Sequence, residues 1–204
     1  MKKRRIAIVA FLLCACMVIG IGYAAVSRNL YVLGTIKVAN TNIDVTFTDA
    51  EIFAGEYNGV TYGTEDGQTK NYCTSASKVT DDYHVRLTTE VMNDIGQSAV
   101  AIFTITNNMS DTNVSVAHPA DAHTISGSIG TEYFTFSHKF VKTDDGDTVE
   151  IDADGKTVTN LPAGESVYLI VCITVKSEIT VDLNPEESLE FTATYIATAL
   201  PDQT

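Results

Sequence analysis

Apolar and polar residues alternate with period two along most of the chain beyond residue 29, the pattern of strands with one buried face. Leu30, Val32, Gly34, Ile36 and Val38 share one face, with Tyr31, Thr35 and Lys37 on the other. Ile43, Val45 and Phe47 alternate with Asp44, Thr46 and Thr48, and Val85, Leu87, Thr89 and Val91 with His84, Arg86, Thr88 and Glu90. Ala101, Phe103 and Ile105 form a third such face, Phe134, Phe136, His138 and Phe140 a fourth, and Leu189, Phe191, Ala193 and Tyr195 a fifth. The stretch SVYLIVCITVK is apolar at both parities, which predicts a strand covered on each side. Residues 148–161 read as a hairpin turning at Ala153-Asp154-Gly155, with positive φ expected at both central residues.

This pattern predicts about nine strands and no long helix. Residues 50–57 are expected to form one short helical turn. The polar stretch from Asn58 to Asp82, rich in Gly, Thr, Asp and Ser, is expected to be a long excursion out of the sheets. The fold class that follows is all-β, a jelly-roll or Ig-like antiparallel β-sandwich in a single domain over residues 25–204.

The first 24 residues break the pattern. Lys2, Lys3, Arg4 and Arg5 precede an uncharged run from Ile6 to Gly22, matching the basic and apolar regions of a secretory signal peptide. Gly22 and Ala24 put small residues where signal peptidases require them, so cleavage is expected between Ala24 and Ala25. An uncleaved anchor and a lipid attached near Leu13-Cys14-Ala15-Cys16 are the alternatives. Cleavage removes four basic and no acidic residues, taking the formal net charge from -13 to -17. Such a surface repels nucleic acid and anionic lipid, so neither is expected as a partner, and a membrane is expected only before cleavage.

Export also places Cys73 and Cys172 in an oxidising compartment, where they either form one disulfide or remain two buried thiols. Of the four histidines, His118 and His123 are five apart and neither they nor His84 and His138 show zinc-site spacing, so no metal ligand set is expected. His138, on a phenylalanine face, reads as a core histidine. Asp144-Asp145-Gly146-Asp147 and Asp152-Ala153-Asp154-Gly155 lack the ligand spacing of a calcium loop and read as turns. No nucleophile elbow, paired Cys and His, or phosphate-binding glycine loop is present, so neither catalysis nor a cofactor is expected.

Gly22-Tyr23-Ala24-Ala25, followed by VANTNIDVTFTDA, VAIFTITNNMSDTNVSV, NLPAGESVYLIVCITV and ESLEFTATYIAT, resembles the TasA and camelysin family over nearly the whole chain. The family's usual opening continues with Phe and an acidic residue, where this chain has Val26-Ser27-Arg28-Asn29. The resemblance implies a protein of Gram-positive bacteria, processed by a dedicated signal peptidase. It also implies a jelly-roll sandwich that polymerises with itself into filaments of the extracellular biofilm matrix. In that scheme the segment 25–38, through Leu30, Val32, Ile36 and Val38, completes the sheet of a neighbouring subunit. Pairing of that segment within its own domain is the alternative for an isolated chain.

Two other functions fit less of the sequence. A surface-binding module would present Tyr57, Tyr62 and Tyr72 of the polar excursion to a glycan or host protein. A camelysin-like metallopeptidase would need a zinc triad that the spacing does not supply.

Overall fold

The computed structural model describes residues 30–38, 43–63, 65–79, 82–92, 94–119, 123–126, 133–146, 148–177 and 189–201. Period-two alternation becomes fourteen strands among these residues. In chain order they are β1 (Leu30–Val38), β2 (Val45–Ile52), β3 (Gly55–Tyr57), β4 (Val60–Tyr62), β5 (Cys73–Lys78), β6 (His84–Thr89) and β7 (Ser98–Asn107). They continue with β8 (Val114–Ala117), β9 (His123–Ser126), β10 (Phe134–Lys142), β11 (Glu150–Ile151), β12 (Thr157–Leu161), β13 (Ser166–Val175) and β14 (Leu189–Ala199). The nine strands foreseen from the pattern are all present, and β3, β4, β5, β8 and β9 add to them.

Two sheets enclose one main core. The larger runs β11-β12-β8-β14-β1-β6-β5, with β9 also paired to β14; the smaller runs β10-β13-β7-β2. Alternation decides what each strand buries. Val32 and Ile36 of β1, Leu87 of β6 and Phe191 and Tyr195 of β14 face Phe47 of β2, Phe103 and Ile105 of β7, Leu169 and Ile173 of β13 and Phe140 of β10. The all-β sandwich is therefore the fold, and its core is the set of inward residues that the alternation marks.

One pairing departs from the antiparallel expectation. β1 lies parallel to β14, Leu30 to Val38 against Leu189 to Ala197, while its other edge pairs antiparallel with β6 from Tyr31 to Thr35. Local pattern carries no information about strand direction. The parallel pair arises because the first and last strands meet in the middle of the sheet, with the rest of the domain serving as their crossover connection.

The stretch from Asn58 to Asp82, expected as a long excursion out of the sheets, contributes β4 and β5, and residues 50–57 form no helical turn. β2 runs on to Ile52, and β3 and β4 form a hairpin whose turn residues Asn58 and Gly59 both have positive φ, 51° and 79°. That hairpin lies against the outer face of the smaller sheet. There Tyr57, Tyr62 and Phe53 cover Val100, Ile170 and Cys172 in a second small core. This cover explains why β13 is apolar at both parities. Asn71 stitches the segment down: its amide nitrogen donates to the carbonyls of Phe53 and Val100, and its amide oxygen accepts from the backbone N–H of Cys73 and Val100. The hairpin at residues 148–161 also forms, but through a longer loop. Ile151 pairs with Val158, and the only positive φ within that loop is at Gly155, 68°, not at Asp154.

Gly34 sets how closely β1 approaches β6. It is the inward residue opposite Val85, and a Cβ built there would lie 2.7 Å from Val85 Cγ2. Two residues along β1 in either direction stands a branched side chain, Val32 or Ile36, so a slip of the register by two would drive a larger group into the same space. Gly34→Ala is expected to destabilise the fold by about 1–3 kcal/mol through overpacking, measured by equilibrium denaturation; an unchanged midpoint would show that β1 does not sit in this register.

Candidate functional site

Leu30, Val32, Ile36 and Val38, the residues foreseen as the donor stripe, all lie on β1. Ala24 and Ala25 fall outside the described residues. β1 is flanked on both edges, and Val32 is in register with Phe191 of β14 and Leu87 of β6. Ile36 is in register with Tyr195, and its N–H donates to the Tyr83 carbonyl at 2.9 Å. The side chains of Val32 and Ile36 are buried in the main core. β1 thus fills a slot walled by two strand edges and floored by apolar side chains, the geometry in which backbone hydrogen bonds supply affinity and side-chain pockets fix the register.

Cys73 and Cys172 do not form a disulfide; both are free and buried. Cys73 belongs to the main core between the sheets. Val171 and Ile173 point into that core, so Cys172 points out of the sheet and sits under the β3–β4 hairpin. Parity alone separates the two thiols. Burial pushes the Cys73 thiol up to about 12 and raises Cys172 as well, so neither is a nucleophile at neutral pH.

The tyrosines considered as a glycan platform are largely spent on packing. Tyr57 and Tyr62 are buried, and Tyr57 donates its hydroxyl to Ser137 Oγ at 3.1 Å. Tyr72 is half-buried, with its hydroxyl accepting from Gln97 Nε2 and its ring 4.6 Å from the Lys70 ammonium. Between the hairpin and the sheet lies a cavity of about 390 Å³, lined by uncharged groups that include Tyr57, Asn58, Tyr62, Ser98, Ser137 and Thr174.

Sequence spacing gave no hint of the most unusual feature. His118, just after β8, His123 at the start of β9 and His138 on β10 come together against β14. The His118 ring lies 5.8 Å from that of His123, 5.0 Å from that of His138 and 5.1 Å from that of Tyr195. Phe136 and Phe191 stack at 4.7 Å beside them. His118 Nδ1 is 2.8 Å from the Thr194 carbonyl. A carbonyl can only accept, so that nitrogen holds the proton and Nε2 presents a lone pair. His118 Nε2, His123 Nδ1 and the Tyr195 hydroxyl are buried with no hydrogen-bond partner among the described residues. Burial lowers His118, and it depresses His138 to about 4 with help from the nearby Lys156 ammonium. Both imidazoles are therefore uncharged at neutral pH. Among the described residues no group of three or more His, Cys, Asp or Glu side chains is arranged to hold a metal ion. The one clue in the sequence was His138 on its phenylalanine face, and the structure does bury it there.

No protein-family model matches this chain, and no curated protein matches it. A solved structure described as AvmM, which catalyses macrocyclisation in alchivemycin A biosynthesis, aligns with 73% of this chain and 96% of its own at 13% identity and a TM-score of 0.23. A likeness at that level carries no argument about fold or chemistry.

Tyr195 has no exposed surface, and its ring packs edge-on against His138 and Phe140. Tyr195→Phe keeps that packing and removes a buried hydroxyl without a partner. Chemical denaturation should show stability unchanged or raised by about 1 kcal/mol; a loss of more than that would mean the hydroxyl makes an interaction that stabilises the fold.

Proposed function

We propose that this chain is an exported structural protein that assembles into extracellular filaments by strand exchange, each subunit lending β1 to the next. The observation that carries the reading is the position of β1: the first strand among the described residues occupies the middle of a sheet, with β14 on one edge and β6 on the other. A strand from a second copy would make the same backbone bonds and fill the same apolar floor. Exchange therefore reuses the contacts of the closed monomer and costs little beyond the opening step. Gly34 would hold the incoming strand in register against Val85, as it holds the resident one.

The N-terminal pattern supports the same reading. A basic and apolar leader cut between Ala24 and Ala25 would leave β1 within a few residues of a free chain end, whereas before cleavage the leader tethers it. The residues that resemble the TasA and camelysin family agree with a matrix filament of this kind, with a second copy of the chain and a signal peptidase as its partners. Loss of four basic residues leaves a strongly acidic product, which favours solubility until subunits dock.

The test compares a chain beginning at Ala25 with one beginning at Ala39, by negative-stain microscopy and circular dichroism. The longer chain should form fibres. The shorter should remain fibre-free, and a peptide spanning 25–38 should bind it with a β-sheet signature and restore any folding it has lost. Fibres formed by the shorter chain alone would contradict the proposal.

A further inference from the structure

The chain carries 26 Asp and Glu residues, yet β8, β9, β10, β12 and β14 hold one carboxylate between them, Glu190, whose position alternates with the inward Phe191. These are the strands around His118, His123 and His138. Among the described residues, the titratable and charged groups that face the three imidazoles are the Tyr195 phenol from β14, and Lys156 and Asp152 from the turn between β11 and β12. Lys156 donates its ammonium to the His138 carbonyl, and His138 Nε2 lies 3.4 Å from the Lys156 carbonyl. The Asp152 carboxylate is engaged by the Lys156 backbone N–H at 2.6 Å. Among the described residues, an imidazolium formed in this layer would meet a fixed cation, other imidazoles and aromatic rings, with one carboxylate nearby that is already occupied.

We propose that His118 and His138, packed against His123, form an acid-sensitive lock between the two sheets. With His118 and His138 uncharged, the rings fill the gap and clamp β9 and the end of β8 to β14, through the His118 bond to the Thr194 carbonyl and the stacking of His123 on Phe191 at 5.6 Å. Charged, His118 and His138 repel one another and Lys156 and draw water into the layer, so that β9 loosens from β14 and β10 from the opposite side. The sign follows from the direction in which burial moves these groups. A histidine held below its ordinary value of about 6.5 costs nothing above that pH, and its destabilising effect grows as pH falls, levelling off near the folded-state value. For His138 the window runs from 6.5 down to about 4. Because β14 is also the parallel partner of β1, acid would loosen the slot as well. That consequence rests on the strand-exchange reading, and the lock itself does not.

The experiment uses the purified full-length chain. Stability is measured by denaturant titration at steps between pH 7.5 and 4, the imidazole resonances are followed by NMR, and amide exchange in β9 is referred to β6 in the same sample. The folding constant should fall on the order of a hundredfold between pH 6.5 and 4. His138→Phe should remove most of that fall and His118→Gln part of it, and β9 should lose protection before β6 does. Should His138→Phe fail to fold, the NMR titration of the unmodified chain still decides. A His138 midpoint near 6.5 in the folded state, a flat stability profile, or an unchanged slope in a folded His138→Phe chain would each overturn the lock.

Discussion

Backbone hydrogen bonding by β1 joins two parts of the larger sheet that no other strand among the described residues connects. On one side stand β14 with β8, β9, β12 and β11, and on the other β6 with β5. Withdrawing β1 would leave two open strand edges and uncover the apolar side chains behind them. Edges of that kind do not persist in water; they recruit a replacement. Under the proposed strand exchange, the dependence of the larger sheet on β1 would tie stability to assembly. The contacts that hold a lone subunit closed are the contacts a second copy can satisfy.

The opposite layer of the sandwich is built for permanence. β13 is covered on its inner face by the main core and on its outer face by the β3–β4 hairpin, so Val171 and Cys172, one residue apart, are both buried although they face opposite ways. The larger sheet holds β1 between β14 and β6, and the rings of His118, His123 and His138 gather beside β14. Both its proposed weak points meet at β14, which binds β1 on one edge and β8 and β9 on the other.

Much of this was legible in the residues. Val32 and Ile36, Phe103 and Ile105, and Phe191 and Tyr195 announce their faces by parity alone, because a half-buried strand cannot hide a period of two. Cys172 could not be assigned to a face in this way, because β13 is apolar at both parities and only the cover of the β3–β4 hairpin tells its outer face from its inner one. What parity cannot carry is direction and contact between distant segments. The parallel pairing of β1 with β14 depends on how the two ends of the domain meet, and the hairpin at Asn58-Gly59 is held by Asn71 and by apolar cover from another sheet. His118, His123 and His138 come from three separate places in the chain and share no spacing rule. Only the fold puts their rings side by side.

The central claim is that β1 can occupy the same slot in a neighbouring copy. Leu33 and Thr192 are register partners on β1 and β14 and lie outside the set of buried core residues. Chains beginning at Ala25 and bearing only Leu33→Cys would be mixed with chains bearing only Thr192→Cys, assembled, and oxidised. The account predicts a disulfide between the two kinds of chain in the assembled material and not in the monomer fraction. Fibres that form without that bond, while a chain bearing both substitutions closes it internally, would contradict the account.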